Sequence, residues 1–338
     1  MSNPNRGTLT ISLDLELYWG MRDVISIDDY KQQLIGVETA IPAILELFAK
    51  YQIHATWATV GFLHYSDREQ LQQNLPQIQP SYDKAELDPY PYIATIEPER
   101  HARLHFCPEP IGLIAGVAGQ EIGTHTFSHY YCLEPGQTEE EFKADLQAAI
   151  AVARQNNLDT KSLVFPRNQY NRAYLEAIAE CGIDCYRGNE THPIYNDEAG
   201  DGDRPLKRML RLIDAYFNIS GHNCYSQASL QQSYPINIPS SRFLRPYSAK
   251  LKSLEPLRLR RITSGLKRAA IRGEIYHLWW HPHNFGTNLN ENLNFLTRIL
   301  QYYQQLNERH QMQSLNMGEI ADLCLNKSKI RNIAQANS

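Results

Sequence analysis

Apolar and polar residues alternate strictly from residue 8 to residue 17. A period of two is typical of a β-strand whose two faces meet different environments. The odd positions hold only leucine or isoleucine and suit packing against helices, whereas the even face carries Asp14 and Glu16 near its C-terminal end. The alternative is a solvent-facing edge strand that merely ends in charge.

A helical stripe follows this strand. Apolar residues recur at steps of three and four, as on one face of an amphipathic helix: Tyr30, Leu34, Val37, Ile41, Leu45 and Phe48. The helix is predicted to begin at Asp28, and Pro42 is expected either to kink it or to start a second helix.

Strand and helix patterns keep alternating along the rest of the chain. Thr138 and Glu141 form a capping-box pattern that predicts a helix start. Further strands are predicted at 53–60, at 162–165 and from Ile275, and further helices at 172–181, with Gly182 as its C-terminal cap, and from Leu289. We therefore predict an α/β fold, a (β/α) barrel formed by a single domain over residues 1–325.

Three stretches fit the barrel pattern less well. Residues 64–112 are rich in Gln, Pro and Tyr with little periodicity, which predicts an inserted loop region at the mouth of the site. Residues 242–272 hold ten Lys or Arg and one acid, Glu255. That surface could attract a phosphate, a nucleotide-sugar or an anionic membrane face, giving peripheral membrane association, or could simply be a solvated helix. Residues 326–338 are predicted to be a flexible tail.

Two histidines stand four residues apart, at His125 and His129, just after a short apolar run. If a helical turn or a tight loop follows that run, both rings project the same way. Zinc binds neutral imidazole nitrogens and carboxylate oxygens, and in catalytic sites it leaves a position for water. Histidines in half-buried loops also bond to backbone groups, so the spacing alone leaves both interpretations open.

The residues around these histidines resemble a known family. Residues 123–129, GTHTFSH, resemble the His-Ser/Thr-x-x-His motif of the polysaccharide deacetylases, carbohydrate esterase family 4, whose domain is also called the NodB homology domain. Residues 12–16, SLDLE, are similar to the family's first motif, which usually has two adjacent aspartates. Two acids separated by one residue, as here, resemble the first motif of family branches that act on lipid-linked or intracellular sugars.

Two further motifs match in altered form, and one is missing. Residues 165–170, FPRNQY, are the best match to the third motif, although the proline precedes the arginine. His281, at a strand's end before a proline, matches the last, Leu-x-His motif. The fourth motif has no clear counterpart, and residues 185–189, CYRGN, occupy its place.

The resemblance implies a distorted barrel of about seven strands. It also implies an enzyme that removes an acetyl or formyl group from an amino sugar. It implies one divalent ion, by preference zinc, held by Glu16, His125 and His129. The catalytic residues implied are Asp14 as base, Arg167 as the cation that keeps Asp14 ionised and oriented, and His281 as proton donor. Trp19, Tyr170 and Trp279 are candidate substrate contacts, because aromatic rings stack on sugars.

Composition limits the choice of partners and compartment. The net charge is only −4, and neither a phosphate-cradling glycine loop nor a nucleic-acid module is present, so we expect neither ATP nor nucleic acid. Six cysteines without paired spacing indicate reduced thiols. The polar first residues do not resemble an export signal, and no apolar run could span a bilayer, so we expect a cytoplasmic protein. The oligomeric state is left open.

Three functions remain open at this level. The first is a metal-dependent deacylase acting on an amino sugar in a polysaccharide or a lipid-linked precursor. The second is an amidohydrolase acting on a small non-sugar amide. The third is an inactive relative that binds glycans, because Glu16 is one methylene longer than the family's aspartate and stands two positions from Asp14.

Overall fold

The computed structural model describes residues 6–195 and 205–336, without side chains for 98–100 and 327–336. Its strands are β1 Thr8–Leu15, β2 Ala55–Thr59, β3 Gln120–Thr124, β4 Ser162–Val164, β5 Cys185–Arg187, β6 Tyr225–Ser226, β7 Ile236–Asn237, β8 Arg242–Phe243, β9 Glu274–Trp280 and β10 Gln313–Ser314. Its helices are α1 Ile27–Ile35, α2 Val37–Tyr51, α3 Arg68–Gln73, α4 Tyr90–Ile93, α5 Pro98–His105, α6 Pro108–Ala115, α7 Glu139–Gln155, α8 Leu175–Glu180, α9 Pro205–Asp214, α10 Gln227–Leu230, α11 Glu255–Arg272, α12 Leu289–His310 and α13 Met317–Ala336.

The strands form one curled sheet in the order β6-β9-β1-β2-β3-β4-β5-β7. All pairings along this path are parallel except that of β6 with β9. The segment from β7 to β8 bonds to β5 at its start, where the amide of Ile238 donates to the carbonyl of Tyr186 at 2.9 Å. At its end it bonds to β9, where the amide of Leu244 donates to the carbonyl of Trp279 at 2.7 Å. The predicted distorted barrel is confirmed, although eight strands, rather than about seven, lie on this path through the described residues.

Strand β1 lies at the centre of the sheet, between β2 and β9. Its leucines and isoleucine belong to the main apolar core, and its even side chains face the barrel interior, where Ser12 contacts His277 of β9. Asp14 is 2% exposed and Glu16 4% exposed, so the solvent-facing edge-strand alternative is wrong. The strand ends at Leu15, and Glu16 lies just beyond it.

The helices after β1 break at a different residue from the one predicted. Helix α1 ends before Gly36 and α2 begins at Val37, whereas Pro42 lies inside α2 without ending it. A Cβ atom at Gly36 would lie 2.0 Å from the carbonyl oxygen of Gly286, so only glycine permits this approach of two backbones. The later capping box at Thr138 and Glu141 is confirmed at the start of α7.

The segment 64–112 is not the predicted loop region. It folds into the short helices α3 to α6, and Leu71, Ile93 and Leu104 are buried in the main core. Polar stretches without long-range periodicity can still form short helices when each contributes one apolar anchor. That this segment shapes specificity stays a prediction, as does the single-domain assignment.

The basic segment 242–272 turns several of its cations inward. Arg242 and Arg261 are 3% exposed, and both pair with Asp214 at the end of α9, at 2.5 and 3.3 Å. Asp214 also accepts hydrogen bonds from the amide and hydroxyl of Ser220. Because the buried Arg261 belongs to α11, the alternative of a wholly solvated helix near 254–270 is wrong, and membrane association through this segment stays a prediction.

The C-terminal segment is helical as far as the structure describes it. Helix α13 continues through most of 326–338, the segment predicted as a flexible tail, and residues 337 and 338 lie outside the described residues. Within the described ranges no helix combines the length and the apolar character needed to cross a membrane.

We predict that Asp214→Ala lowers the free energy of unfolding by about 3–5 kcal/mol, because it leaves two buried arginines without their carboxylate. Burial alone would raise the pKa of Asp214, but Arg242 and Ser220 outweigh it and hold the pKa well below its usual value. The stabilisation that the ionised Asp214 gives to the folded state is therefore present above about pH 4 and is lost as the pH falls further.

Urea denaturation of both proteins at pH 7 and at pH 3 measures the effect. Asp159→Ala serves as the control, because Asp159 has an 81% exposed side chain and makes a long contact with Lys161. Equal stability of wild type and Asp214→Ala at pH 7 would contradict the prediction.

Candidate metal centre

The two predicted carboxylates lie at the C-terminal end of the barrel, where such folds place their chemistry. Asp14 is the penultimate residue of β1 and faces the barrel interior. Glu16 follows the strand and precedes a 3-10 turn at Leu17–Gly20. Leu17 has a φ of 47°, a left-handed conformation that turns the chain sharply at this point.

The two histidines lie on a tight loop after β3. Thr126 and His129 both have positive φ, 63° and 62°, so the loop is not a helical turn. Asp145 of α7 holds it from beneath, accepting from the amides of Phe127 at 2.7 Å and Ser128 at 3.1 Å, and from the Ser128 hydroxyl. These buried bonds fix a strained loop, and both imidazoles consequently point at Glu16.

Glu16, His125 and His129 form a compact, buried group whose ligand atoms all lie within 4.8 Å of one another. The Oε2 atom of Glu16 is 3.4 Å from Nε2 of His125 and 3.0 Å from Nε2 of His129. Ligands bound at about 2.0–2.1 Å around a tetrahedral zinc lie about 3.3 Å apart, which these separations match. No other such group occurs in the part of the chain that the structure describes.

The hydrogen bonds and charges of these three side chains favour the binding of a cation. His125 donates from Nδ1 to the carbonyl of Val164 at 2.8 Å, which directs its Nε2 atom, without a hydrogen-bond partner, toward Glu16. Burial lowers the pKa of His129 to about 4, so that ring is neutral at pH 7. Burial would raise the pKa of Glu16, but His281, His125 and His129 outweigh it and hold the carboxyl ionised. One carboxylate with two imidazoles is a divalent-metal ligand set.

Gly20 makes room for the Glu16 side chain. A Cβ atom at this position would lie 2.1 Å from the carboxyl carbon of Glu16 and 2.3 Å from Oε1. Only a residue without a side chain allows the carboxylate to fold back over the turn toward the histidines.

Asp14 is paired with Arg187 and not, as predicted, with Arg167. The Arg187 guanidinium donates to both carboxylate oxygens of Asp14, at 2.6 and 2.7 Å, and its Cζ lies 4.2 Å from the Trp279 ring centroid. Burial would raise the pKa of Asp14, but Arg187 outweighs it and keeps the pKa below its usual value. Arg187 ends β5 on the interior face, which is why it reaches β1 across the barrel.

Arg167 occupies the rim instead. It sits in a turn with a φ of 54°, donates to both oxygens of Asp23 at 2.5 and 2.7 Å, and lies 4.4 Å over the Tyr131 ring. The predicted contact with Asp14 is wrong because the turn after β4 carries this side chain outward. The sequence did contain a signal for Arg187: an arginine ends a short, otherwise apolar strand and requires a buried counter-ion.

Among the three histidines of the last motif, His281 lies at the site. Its Nε2 is 3.6 Å from Glu16 Oε1 and 3.9 Å from Asp14 Oδ2, and its side chain is 21% exposed. His277 is fully buried, donates from Nδ1 to the Ile238 carbonyl and meets Ser12 through Nε2 at 2.9 Å. His283 is buried and stacks on His281 with ring centroids 4.9 Å apart.

The three predicted substrate contacts lie in different places. Trp19 is 2% exposed and donates from Nε1 to the His105 carbonyl at 2.7 Å, so its assignment as a substrate contact is wrong: the ring belongs to the core. Tyr170 is partly buried and packs on Phe165 and Tyr186. Trp279 is partly buried and lines an open cleft of about 200 Å³ beside the site.

Comparison with known proteins agrees with the motifs. Residues 24–186 match the family model described as polysaccharide deacetylase. The resemblance predicted from the sequence is therefore confirmed. The matched range includes His125, His129 and Arg167, whereas Asp14, Glu16 and the last histidine motif lie outside it. No curated protein matches the sequence.

Solved structures show the same fold at low identity. A Mycobacterium smegmatis protein assigned as a polysaccharide deacetylase aligns with a TM-score of 0.57 and 15% identity, covering 97% of this chain and 94% of its own. The PuuE allantoinase aligns with a TM-score of 0.54 and 11% identity, covering 95% and 91%. A 4-alpha-glucanotransferase from Thermococcus litoralis aligns with a TM-score of 0.52 and 10% identity, covering 94% of this chain and 40% of the enzyme. At these identities the likeness concerns the fold alone.

We predict that Gly20→Ala weakens Zn²⁺ binding by about 10–100-fold, because the new methyl group displaces the Glu16 carboxylate. Isothermal titration of the chelator-treated protein with Zn²⁺ measures the affinity. Gly112→Ala is the matched control, since a Cβ atom there meets nothing within 4 Å. Unchanged affinity in Gly20→Ala would exclude Glu16 as a ligand in this conformation.

Proposed function

We propose that this protein is a metal-dependent deacylase that removes an acetyl or formyl group from an amino sugar. The observation that carries the proposal is the buried group of Glu16, His125 and His129, with Asp14 and His281 on its open side. The match to the polysaccharide deacetylase model supports hydrolysis of this type. Zinc is the ion we propose, because two imidazoles and one carboxylate suit its preference.

The residues around the ion divide the work of amide hydrolysis. When bound, the ion would polarise the amide carbonyl and make a water molecule more acidic. Asp14, ionised and held in orientation by Arg187, would take the proton from the attacking water. His281 donates from Nδ1 toward Asn284 at 3.4 Å, so Nε2 faces the site, and the doubly protonated ring would deliver its Nε2 proton to the departing amine.

Two proton-transfer groups are required because an amine leaves poorly unless it is protonated. The arrangement places them on separate strands, with Asp14 on β1 and His281 just after β9. Trp279 and Tyr170 remain the proposed aromatic contacts for the substrate. A lipid-linked precursor as the substrate and a cytoplasmic location belong to the same proposal.

Metal content and acyl release together test the proposal. We expect wild type to bind about one equivalent of Zn²⁺ and to release acetate or formate from N-acylated amino sugars. His125→Ala/His129→Ala should lose both properties, whereas Asp14→Asn should keep the metal and lose about 10²–10⁴-fold in kcat/KM.

The same measurements separate the other two functions. Metal binding without release from any N-acyl sugar, but with release from small non-sugar amides, would favour an amidohydrolase. Absence of metal binding in wild type would favour an inactive glycan-binding relative and remove the hydrolase proposal. Full turnover in Asp14→Asn would refute its role as base.

We predict that His281→Ala lowers turnover of an amide by about 10²–10⁴-fold without loss of metal. The same variant should lose far less activity on 4-nitrophenyl acetate, because a nitrophenolate leaves without a proton. His310→Ala, an exposed histidine at the end of α12, is the control. Equal losses on the amide and on the aryl ester would argue against proton donation by His281.

A further inference from the structure

The open cleft beside the metal centre carries four arginines, Arg167, Arg211, Arg242 and Arg245. Two of its lining residues, Asn168 and Trp279, contact residues of the proposed catalytic site. Asn168 accepts from Arg187 at 2.9 Å, and the Trp279 ring lies 5.6 Å from the ring of His281. The cleft therefore adjoins the site closely enough for one substrate molecule to extend into both.

The positive charge of the cleft is only partly neutralised within the described residues. Arg167 pairs with Asp23 and Arg242 with Asp214. Arg245 is partly buried, and its guanidinium has no hydrogen bond or ion pair with any described residue. Arg211 makes contacts of its own, so Arg245 is the arginine of the cleft whose charge has no counter-ion among the described residues.

The surroundings of Arg245 do not supply an anion. Its own carbonyl accepts from Arg258, and burial together with the nearby Arg211 lowers its pKa, with Tyr216 and Tyr195 acting in the opposite direction. Glu190 also lines the cleft, but burial raises the pKa of that carboxyl. A half-buried guanidinium without a counter-ion is unfavourable, and an anionic ligand would relieve it.

We propose that this cleft binds an anionic substituent of the substrate, a carboxylate or a phosphate, with Arg245 as its main contact. The proposal rests on the proposed function in so far as it calls the ligand a substrate. A guanidinium presents parallel N–H donors that match two oxygens of either group. A neutral glycan would leave Arg245 unpaired, whereas an acidic sugar or a sugar phosphate would pair it while its amide lies at the metal centre.

Binding of inorganic phosphate and of glucuronate to the full chain tests the proposal without requiring turnover. Both are titrated calorimetrically into wild type in EDTA and into His125→Ala/His129→Ala, so that neither anion can bind to a metal ion. We expect at least one anion to bind, and Arg245→Gln to weaken it by about tenfold. Arg260→Gln, which removes an exposed arginine on α11, should bind as wild type does.

The two anions identify the chemistry of the substituent, phosphate or carboxylate. Failure of both to bind wild type, or equal binding by Arg245→Gln and wild type, would overturn the proposal. Anion binding that survives in His125→Ala/His129→Ala while acyl release is lost separates this cleft from the metal centre. If wild type binds the anion but releases no acyl group, the cleft proposal stands and the proposed function fails.

Turnover gives a second measurement. Arg245→Gln should lower kcat/KM for N-acetylglucosamine 1-phosphate or an N-acetylated uronic acid by about tenfold, through KM, and should leave N-acetylglucosamine unchanged. An equal loss on the neutral sugar would mean that Arg245 acts on the site in general and would overturn the anion assignment.

Discussion

The ion pair between Asp14 and Arg187 holds the interior of the barrel together. Arg187 donates to Asp14 and Ser12 on β1 and to Asn168 after β4, and its guanidinium lies against Trp279 of β9. Removing one partner of such a buried pair generally costs about 3–5 kcal/mol, because the other charge is left without compensation. The contact that supports the barrel therefore also keeps Asp14 ionised and fixes its direction.

The separation of the two acids follows from where β1 ends. Asp14 lies inside the barrel, whereas Glu16 has passed the last paired residue, and the turn at Leu17 folds it back over Gly20. Asp14 consequently meets Arg187, and Glu16 meets the histidines. Glu16, which is longer than aspartate and stands two positions after Asp14, can thus reach an ion without displacing Asp14, the proposed base. This geometry is the reason to propose an active enzyme over an inactive relative.

The site combines strand positions with a loop. Asp14 lies on β1, and Glu16 and His281 directly follow β1 and β9, while the histidine loop depends on Asp145, a buried carboxylate that accepts from Phe127 and Ser128. Toward solvent, the cleft with Arg245 and Trp279 provides a second, cationic compartment. Under the proposed function, catalysis and substrate selection would depend on different sets of residues, so that one could change without the other.

Local pattern was enough to predict β1, β2, β4, β9 and the capping box, because periodicity and short motifs are encoded by neighbouring residues. The resemblance to the polysaccharide deacetylases implied that Glu16, His125 and His129 form one group, and the structure brings their ligand atoms within 4.8 Å. The partner of Asp14, the burial of Trp19 and the break at Gly36 depended on contacts between distant segments. Arg187 stands 173 residues from Asp14, and only the closure of the barrel decides which arginine reaches it. A sequence specifies which side chains can pair, but the curvature of the sheet determines which of them meet.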